Sequence, residues 1–145
     1  MNTNLITTWD ELASLESAWN ALAGGMPFRS WDWLATWWKH YGLAEHQLHV
    51  LAVYENHNDC DRQLIGVAPW YLDHTVLHGS VIRWLGSGEV CTDHLSLVCR
   101  PDRSTAVAEQ VAEALTSSCD DWDRLDLGAV DADDETMASL FARLS

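Results

Sequence analysis

Positive charge is scarce in this sequence. Eight lysines and arginines stand against 22 aspartates and glutamates in 145 residues, and the formal net charge is −14. A surface of this sign repels phosphate backbones, so we expect no nucleic-acid partner. The acidic residues concentrate between positions 120 and 135. Solvated loops and helix N-termini explain this concentration most simply, because aspartate is favoured there; a cation-binding patch is the alternative.

Long apolar runs are also missing. The longest covers residues 67–72 and contains Pro69, far short of the roughly 20 apolar residues that span a membrane. Residues 1–6 carry neither a basic side chain nor the apolar segment of a signal peptide. The sequence therefore predicts a cytoplasmic protein with no membrane partner.

Cysteines are few and irregularly spaced. They lie at positions 60, 91, 99 and 119 without a CxxC pair, which indicates free thiols in a cytosolic protein. Cys91, Asp93 and His94 are neighbours, but a structural zinc site needs four ligands and no second ligand pair exists, so we predict no metal. A hydrolase is disfavoured, because Gly86-Ser87-Gly88 does not fit G-x-S-x-G and nothing indicates an activated Cys–His pair.

Four helices are predicted from caps and apolar spacing. Thr8 and Glu11 form a capping box at the start of the first helix, which Gly24-Gly25 ends. Ser30 is the predicted N-cap of a second helix that stops at Gly42. The remaining helices are predicted at 104–117 and 133–144. The apolar stripes of the four are Leu12, Leu15, Trp19 and Leu22; Trp33, Leu34, Trp37, Trp38 and Tyr41; Val107, Val111 and Leu115; and Met137, Leu140, Phe141 and Leu144.

Between the helices the apolar period becomes that of strands. Residues 48–54 and 63–72 predict a hairpin, with Pro69 at a bulge or an edge-facing position. Further strands are predicted at 5–7, 80–85, 94–99 and 124–127. The order (β)ααβββ(β)αβα predicts one domain over residues 1–145, of α/β class with a mixed sheet (α+β).

The last predicted strand and helix are not followed by another strand. A strand–helix unit normally returns to a sheet, so we expect a domain that is cut short. The sheet edge near residues 125–127 is then expected to pair with a second copy or with a missing C-terminal domain.

Five segments follow one another along most of the chain. They are Pro27-Phe28-Arg29-Ser30-x-x-Trp33-Leu34-x-x-Trp37-Trp38, Leu64-Ile65-Gly66-Val67-Ala68-Pro69-x-Tyr71-Leu72, Arg83-Trp84-Leu85-Gly86-Ser87-Gly88, Thr92-Asp93-His94-Leu95 and Arg124-Leu125-Asp126-Leu127. In this order they resemble the N-terminal region of CelD/BcsL-type acetyltransferases, which are linked to cellulose biosynthesis and related to the FemABX transferases. The resemblance implies two N-acetyltransferase-like (GNAT) folds in tandem. It also implies transfer of an acyl group to an amine or hydroxyl, with the chemistry in the second fold.

One part of the family pattern is missing. In a working domain the loop Q/R-x-x-G-x-G/A precedes the long helix and holds the coenzyme A pyrophosphate on its N–H groups. Here residues 100–105 contain no glycine, Pro101 lacks a donor, and Asp102 would face the phosphates. Arg100, Arg103 and Ser104 are the candidate anion-binding residues, with helix capping and solvation as the alternative. We expect no cofactor on this chain alone, and acetyl-CoA or another acyl-CoA on the full-length protein.

The resemblance also implies an acid near Asp93. Asp93 and His94 are therefore the candidate substrate-facing residues, with turn hydrogen bonds as the alternative, and no catalytic residue is assigned. The sequence predicts a non-catalytic GNAT-like domain that shapes the acceptor site of an acyl-CoA-dependent acyltransferase in polysaccharide or cell-envelope biosynthesis.

Two alternatives stay open. One is an autonomous module that binds carbohydrate or protein, suggested by nine tryptophans, and the other is a small active acetyltransferase with an atypical phosphate loop. Exposed tryptophans stack on sugars, so their burial decides the first alternative. Helical stripes predict core positions for Trp19, Trp33 and Trp37 or Trp38. They do not place Trp31, Trp70 and Trp122.

Overall fold

The computed structural model describes residues 1–42, 44–58, 61–87, 95–128 and 130–144. In these ranges the chain forms two four-stranded sheets and five α-helices. The mixed α/β character predicted from the sequence is confirmed. The single predicted sheet is divided into two.

The N-terminal helical region contains three helices, α1 (Trp9–Ala13), α2 (Glu16–Ala23) and α3 (Trp31–Tyr41). Thr8 caps α1 as predicted, accepting a hydrogen bond from the Glu11 amide at 3.3 Å. The first predicted helix is nevertheless two helices. Ser14 ends α1, because its hydroxyl donates to the Glu11 carbonyl at 2.6 Å and competes with the helical ladder.

Glycine and serine set the bounds of the next two helices. Gly24 ends α2 in the left-handed conformation, with φ of 61°, which glycine adopts without steric cost. Ser30 caps α3 by accepting from the Trp33 amide at 3.2 Å, and Gly42 closes it by donating to the Trp38 carbonyl at 2.9 Å. The predicted second helix is confirmed at both ends.

The first sheet contains β1 (Asn2–Ile6), β3 (Val50–Asn58), β4 (Asp61–Ala68) and β7 (Val98–Cys99) in the order β1-β3-β4-β7. All its pairs are antiparallel. Helix α4 (Ser104–Ser117) packs on it so closely that a Cβ at Gly66 would lie 2.5 Å from a Val107 methyl carbon. Only glycine permits this approach of helix and strand.

The second sheet contains β2 (His46–Leu48), β5 (Trp70–Thr75), β6 (Gly79–Trp84) and β8 (Arg124–Asp126) in the order β2-β5-β6-β8. The first three strands are antiparallel to their neighbours, and β8 runs parallel to β6 after the crossover through α4. Helix α5 (Glu135–Leu144) follows β8, with the Asp134 side chain accepting from the Met137 amide at 3.0 Å.

Two predicted strands turn out to belong to both sheets. The strand predicted at 48–54 changes sheet at His49, and the strand predicted at 63–72 changes sheet at Pro69. The His49 amide donates to the Trp70 carbonyl at 3.1 Å, so the two corners lie side by side. Pro69 has no N–H to continue a ladder, and it lies at a corner between the sheets rather than at the expected bulge or edge-facing position.

The predicted fourth strand is much shorter than expected. Only Val98–Cys99 is a strand, and His94 lies outside the described residues. Leu95 and Leu97 are buried, 1% and 2% exposed, although neither is part of a ladder. Ser96 and Val98 are also 2% exposed, so burial in this segment does not alternate as a strand with one open face would require.

Two apolar clusters fill the interior. The first packs α1, α2 and α3 on the sheets and includes Leu12, Leu34 and Trp37; the second packs α4 and α5 and includes Val111 and Leu140. The predicted stripes are largely confirmed. Tyr41 and Phe141 depart from them, at 43% and 42% exposed. No helix in the described ranges is long and apolar enough to cross a membrane.

Candidate functional site

The predicted anion-binding residues lie at the start of α4, and both arginines contact carboxylates of the chain itself. Arg100 makes two hydrogen bonds to Asp102, at 3.0 and 3.1 Å. Arg103 donates to Glu55 at 3.1 Å. Each guanidinium is therefore partly neutralised by a carboxylate of the chain itself.

Ser104 lies apart from these ion pairs, in a pocket of about 330 Å³ between the N-termini of α4 and α5. The charged lining of this pocket comprises Arg29, Asp131, Asp133, Asp134 and Glu135. Four carboxylates against one guanidinium oppose a phosphate. Cys99 also lines the pocket, and burial raises the pKa of its thiol to about 11. The thiol therefore stays protonated near neutral pH and is a poor nucleophile.

The predicted substrate-facing residues, Asp93 and His94, lie outside the described residues, as does Cys91. Ser87, at the end of the preceding described range, has a side chain in contact with the second sheet. Its hydroxyl donates to the Trp84 carbonyl at 2.7 Å and hydrogen-bonds the phenol of Tyr71.

Polar side chains collect on one face of the second sheet. Strand pairing places His46 opposite Asp73, Tyr71 opposite Arg83, and Arg83 beside Asp126. Residues opposite one another in a sheet share a face, so all five side chains belong to the same face. We call this set, His46, Tyr71, Asp73, Arg83 and Asp126, the polar face.

Arg83 is the centre of the polar face. Its Nε donates to Asp73 at 3.0 Å and its Nη1 donates to Asp126 at 2.5 Å. On the other side of Asp73, the His46 Nε2 lies 3.3 Å from the second carboxylate oxygen. Side-chain exposure rises along the row, from 12% at His46 and 19% at Asp73 to 29% at Arg83 and 45% at Asp126. The row is thus mostly buried at His46 on β2 and partly exposed to solvent at Asp126 on β8.

Aromatic rings from α3 border the polar face. The ring of Tyr71 lies 4.8 Å from that of His46 and 5.4 Å from that of Trp37. Trp37 in turn stacks on Tyr41 at 5.6 Å, and Tyr41 is 43% exposed. Burial raises the pKa of Tyr71, although Ser87 and Arg83 act in the opposite direction. The phenol therefore stays protonated near neutral pH, and its ring lies between the aromatic border and the charged row.

Sequence reasoning missed the polar face, although two signals for it were present. Tyr71, Arg83 and Asp126 each occur in one of the segments that carry the family resemblance. Asp73 and Arg83 are also charged positions inside strands that are otherwise apolar. Alternation of this kind predicts one buried and one open face, but it does not identify which strands become neighbours.

The tryptophans lack the solvent exposure that stacking on a carbohydrate requires. All nine are described, and each is buried or half-buried, including Trp70 at 0% exposed. Among the residues that the structure describes, no group of three or more histidines, cysteines, aspartates or glutamates is placed to hold a metal ion.

Comparisons of the chain with protein-family models, with curated proteins and with solved structures find no match.

Proposed function

We propose that this chain is a non-catalytic GNAT-like domain of a two-domain acyltransferase, and that its polar face binds part of the acyl acceptor. The observation that carries the proposal is the row of hydrogen-bonded charges beside a partly exposed aromatic border. Such a row offers fixed donors and acceptors next to an apolar surface, which is the usual composition of a small-molecule site.

The order of elements supports the fold part of this proposal. Helices follow a first strand, antiparallel strands come next, and the long helix α4 then crosses over to a parallel strand. This is the order predicted from caps and apolar spacing, except that two strands are divided between sheets and the first helix is two helices. The start of α4 supports a non-catalytic role, because Arg100 and Arg103 are bound to carboxylates and a net charge of −14 opposes an acyl-CoA.

The chemistry of the polar face favours a polyhydroxylated acceptor. Asp73 and Asp126 accept hydrogen bonds from hydroxyls, and Arg83 donates them. The two carboxylates outnumber the one guanidinium, so the row favours neutral polar groups over an anion. Tyr41 provides a partly exposed ring against which the apolar face of a sugar packs.

Titration of the amide NMR spectrum with a cello-oligosaccharide tests this function. The expected result is chemical-shift change confined to the amides around His46, Tyr71, Asp73 and Arg83, lost in Arg83→Gln and kept in Arg143→Gln, an arginine of α5 away from the site. Acetyl-CoA in a parallel titration is expected to leave the start of α4 unchanged. Shifts at residues 100–104 with acetyl-CoA would contradict the non-catalytic assignment, and sugar-induced shifts elsewhere would contradict the site.

A protein-binding module is the second candidate, and one observation favours it. Val76 and Leu77, in the turn between β5 and β6, are 101% and 88% exposed. Adjacent apolar residues at a hairpin tip are unusual on a protein surface and suit contact with another protein. If Val76→Ser and Leu77→Ser abolish capture of a partner while Arg83→Gln does not, this module reading replaces the acceptor-binding one.

A further inference from the structure

The outer edge of β8 is the place where a second chain can join the second sheet. In the part of the chain that the structure describes, β8 pairs with β6 on one side and has no strand on the other. The directions of its backbone groups follow from neighbouring hydrogen bonds. Leu85 donates to the Pro69 carbonyl at 2.9 Å, so its amide points from the β6 end towards β5. Successive residues alternate, and Ile82 therefore directs its N–H and C=O towards β8.

The direction of the Ile82 backbone groups determines which residue of β8 directs its own N–H and C=O away from β6. Ile82 lies opposite Leu125 in the parallel register, so its backbone groups bond to the residues on either side of Leu125. Arg124 and Asp126 consequently face β6, and Leu125 presents its N–H and C=O outward. The Ser80 carbonyl agrees with this alternation, since it points to β8 and accepts from the Asp123 amide at 2.8 Å.

The charges on this edge are complementary to themselves. Arg124 and Asp126 flank Leu125 and lie on the same sheet face as Arg83. Two antiparallel copies of β8 related by a twofold axis at Leu125 place Arg124 opposite the partner's Asp126, and the same pair recurs across the axis. A parallel arrangement in equal register places like charges side by side, which is destabilising.

We propose that two copies of this chain pair antiparallel through β8, with the twofold axis at Leu125. Leu125 and the partner's Leu125 exchange two backbone hydrogen bonds. Arg124 and the partner's Asp126 occupy the adjacent position without backbone hydrogen bonds, where opposite side chains come closest. The second sheet of one copy and the second sheet of the other join into one sheet of eight strands. A twofold arrangement closes after two copies.

The pairing adds a residue to the polar face. Asp126 already accepts from Arg83 at 2.5 Å, and the dimer brings the partner's Arg124 to the same carboxylate. The charged row then continues across the axis into the second copy. This part of the inference rests on the proposed function, because only a ligand on the polar face gives the added arginine a binding role. The dimer itself does not depend on any ligand.

Light scattering coupled to size exclusion, over a concentration series, tests the association. The expected result is a monomer–dimer equilibrium in which Arg124→Asp raises the dimer Kd by roughly tenfold or more, since two attractive cross-strand pairs become repulsive. Arg143→Asp makes the same change of charge on α5 and is expected to leave the Kd unchanged. A wild-type monomer at every concentration, or equal dimerisation of Arg124→Asp, would overturn the proposal.

Hydrogen exchange of the unmodified chain tests the register independently. The Leu125 amide is expected to exchange fast at low concentration and slowly at high concentration, while the Asp126 amide, bonded to β6, stays protected at both. A dimer that leaves Leu125 unprotected and is lost in Val76→Asp would instead assign the interface to the hairpin tip. Failure of the sugar titration with a protected Leu125 amide would reject the acceptor site and retain the dimer.

Discussion

The two faces of the second sheet show how the same strands serve two purposes. On β6, Ile82 and Trp84 face the second apolar cluster and are 0% exposed, whereas the Arg83 side chain between them faces the polar row and is 29% exposed. On β5, Trp70 and Leu72 are buried in that cluster, and Asp73 belongs to the row. Buried residues therefore lie on both faces, since Val81 and Tyr71 are 1% and 5% exposed, but the charged side chains lie only on the face of the row.

The two faces of the second sheet differ in how their side chains are stabilised. On the buried face, apolar contacts exclude water, and removal of a side chain leaves a cavity. On the polar face, neighbouring charges satisfy one another while water still reaches them. Substitutions one position apart on β6 are therefore expected to differ in kind, with stability affected on one face and binding on the other.

The largest expected effect is on the buried face. Trp84→Ala removes a fully buried indole that lies 5.9 Å from the ring of Trp70, and large-to-small changes of this type cost about 3–5 kcal/mol. Urea denaturation measures the loss. Trp122→Ala, which removes a half-buried indole, is the matched control and is expected to cost less. Equal costs for both would mean that the buried face does not carry the core.

A smaller effect is expected at the corner between the sheets, where His49 is 3% exposed. Burial lowers the pKa of His49 below 6.5, although Asp121 opposes this. As pH falls through 6.5, the unfolded chain takes up a proton that the folded chain resists, so stability decreases until the folded pKa is passed. Urea midpoints measured from neutral pH to about pH 5 should fall more steeply for the unmodified chain than for His49→Gln. Parallel slopes would place the pH dependence elsewhere.

The smallest effect on stability is expected at the centre of the polar face. Arg83→Gln removes two ion pairs, but Arg83 and its partners are partly exposed, and such pairs contribute at most about 1 kcal/mol. The urea midpoint should change little while the sugar-induced chemical shifts disappear. A destabilisation comparable with that of Trp84→Ala would show that the polar face is a structural network rather than a binding surface.

Local signals in the sequence were sufficient for most elements. Ser30 and Gly42 bound α3 as predicted, and helix α4 covers the predicted residues 104–117. The errors occurred where tertiary structure overrides local pattern. The strand predicted at 63–72 gives no sign that residues before and after Pro69 pair with different partners, since residues 64–68 and 70–72 are all buried.

The polar face was harder to predict than the fold. Its members come from β2, β5, β6 and β8, and only the pairing of these strands brings Asp126 to Arg83, 43 residues away along the chain. The expected phosphate loop led to the prediction that Arg100 and Arg103 bind an anion. In the structure they hydrogen-bond to Asp102 and Glu55. Glu55 is distant in sequence, so the ion pair that occupies Arg103 has no local signature.

The paired corners at His49 and Pro69 have a consequence for how the molecule comes apart. Two adjacent chain segments pass from one sheet to the other at the same level, joined there by the hydrogen bond from His49 to Trp70. A single residue, His49 in one segment and Pro69 in the other, connects the strands of the two sheets, so no loop lies between them. Loosening of either sheet pulls directly on the other, which favours all-or-none melting over stepwise loss of one layer.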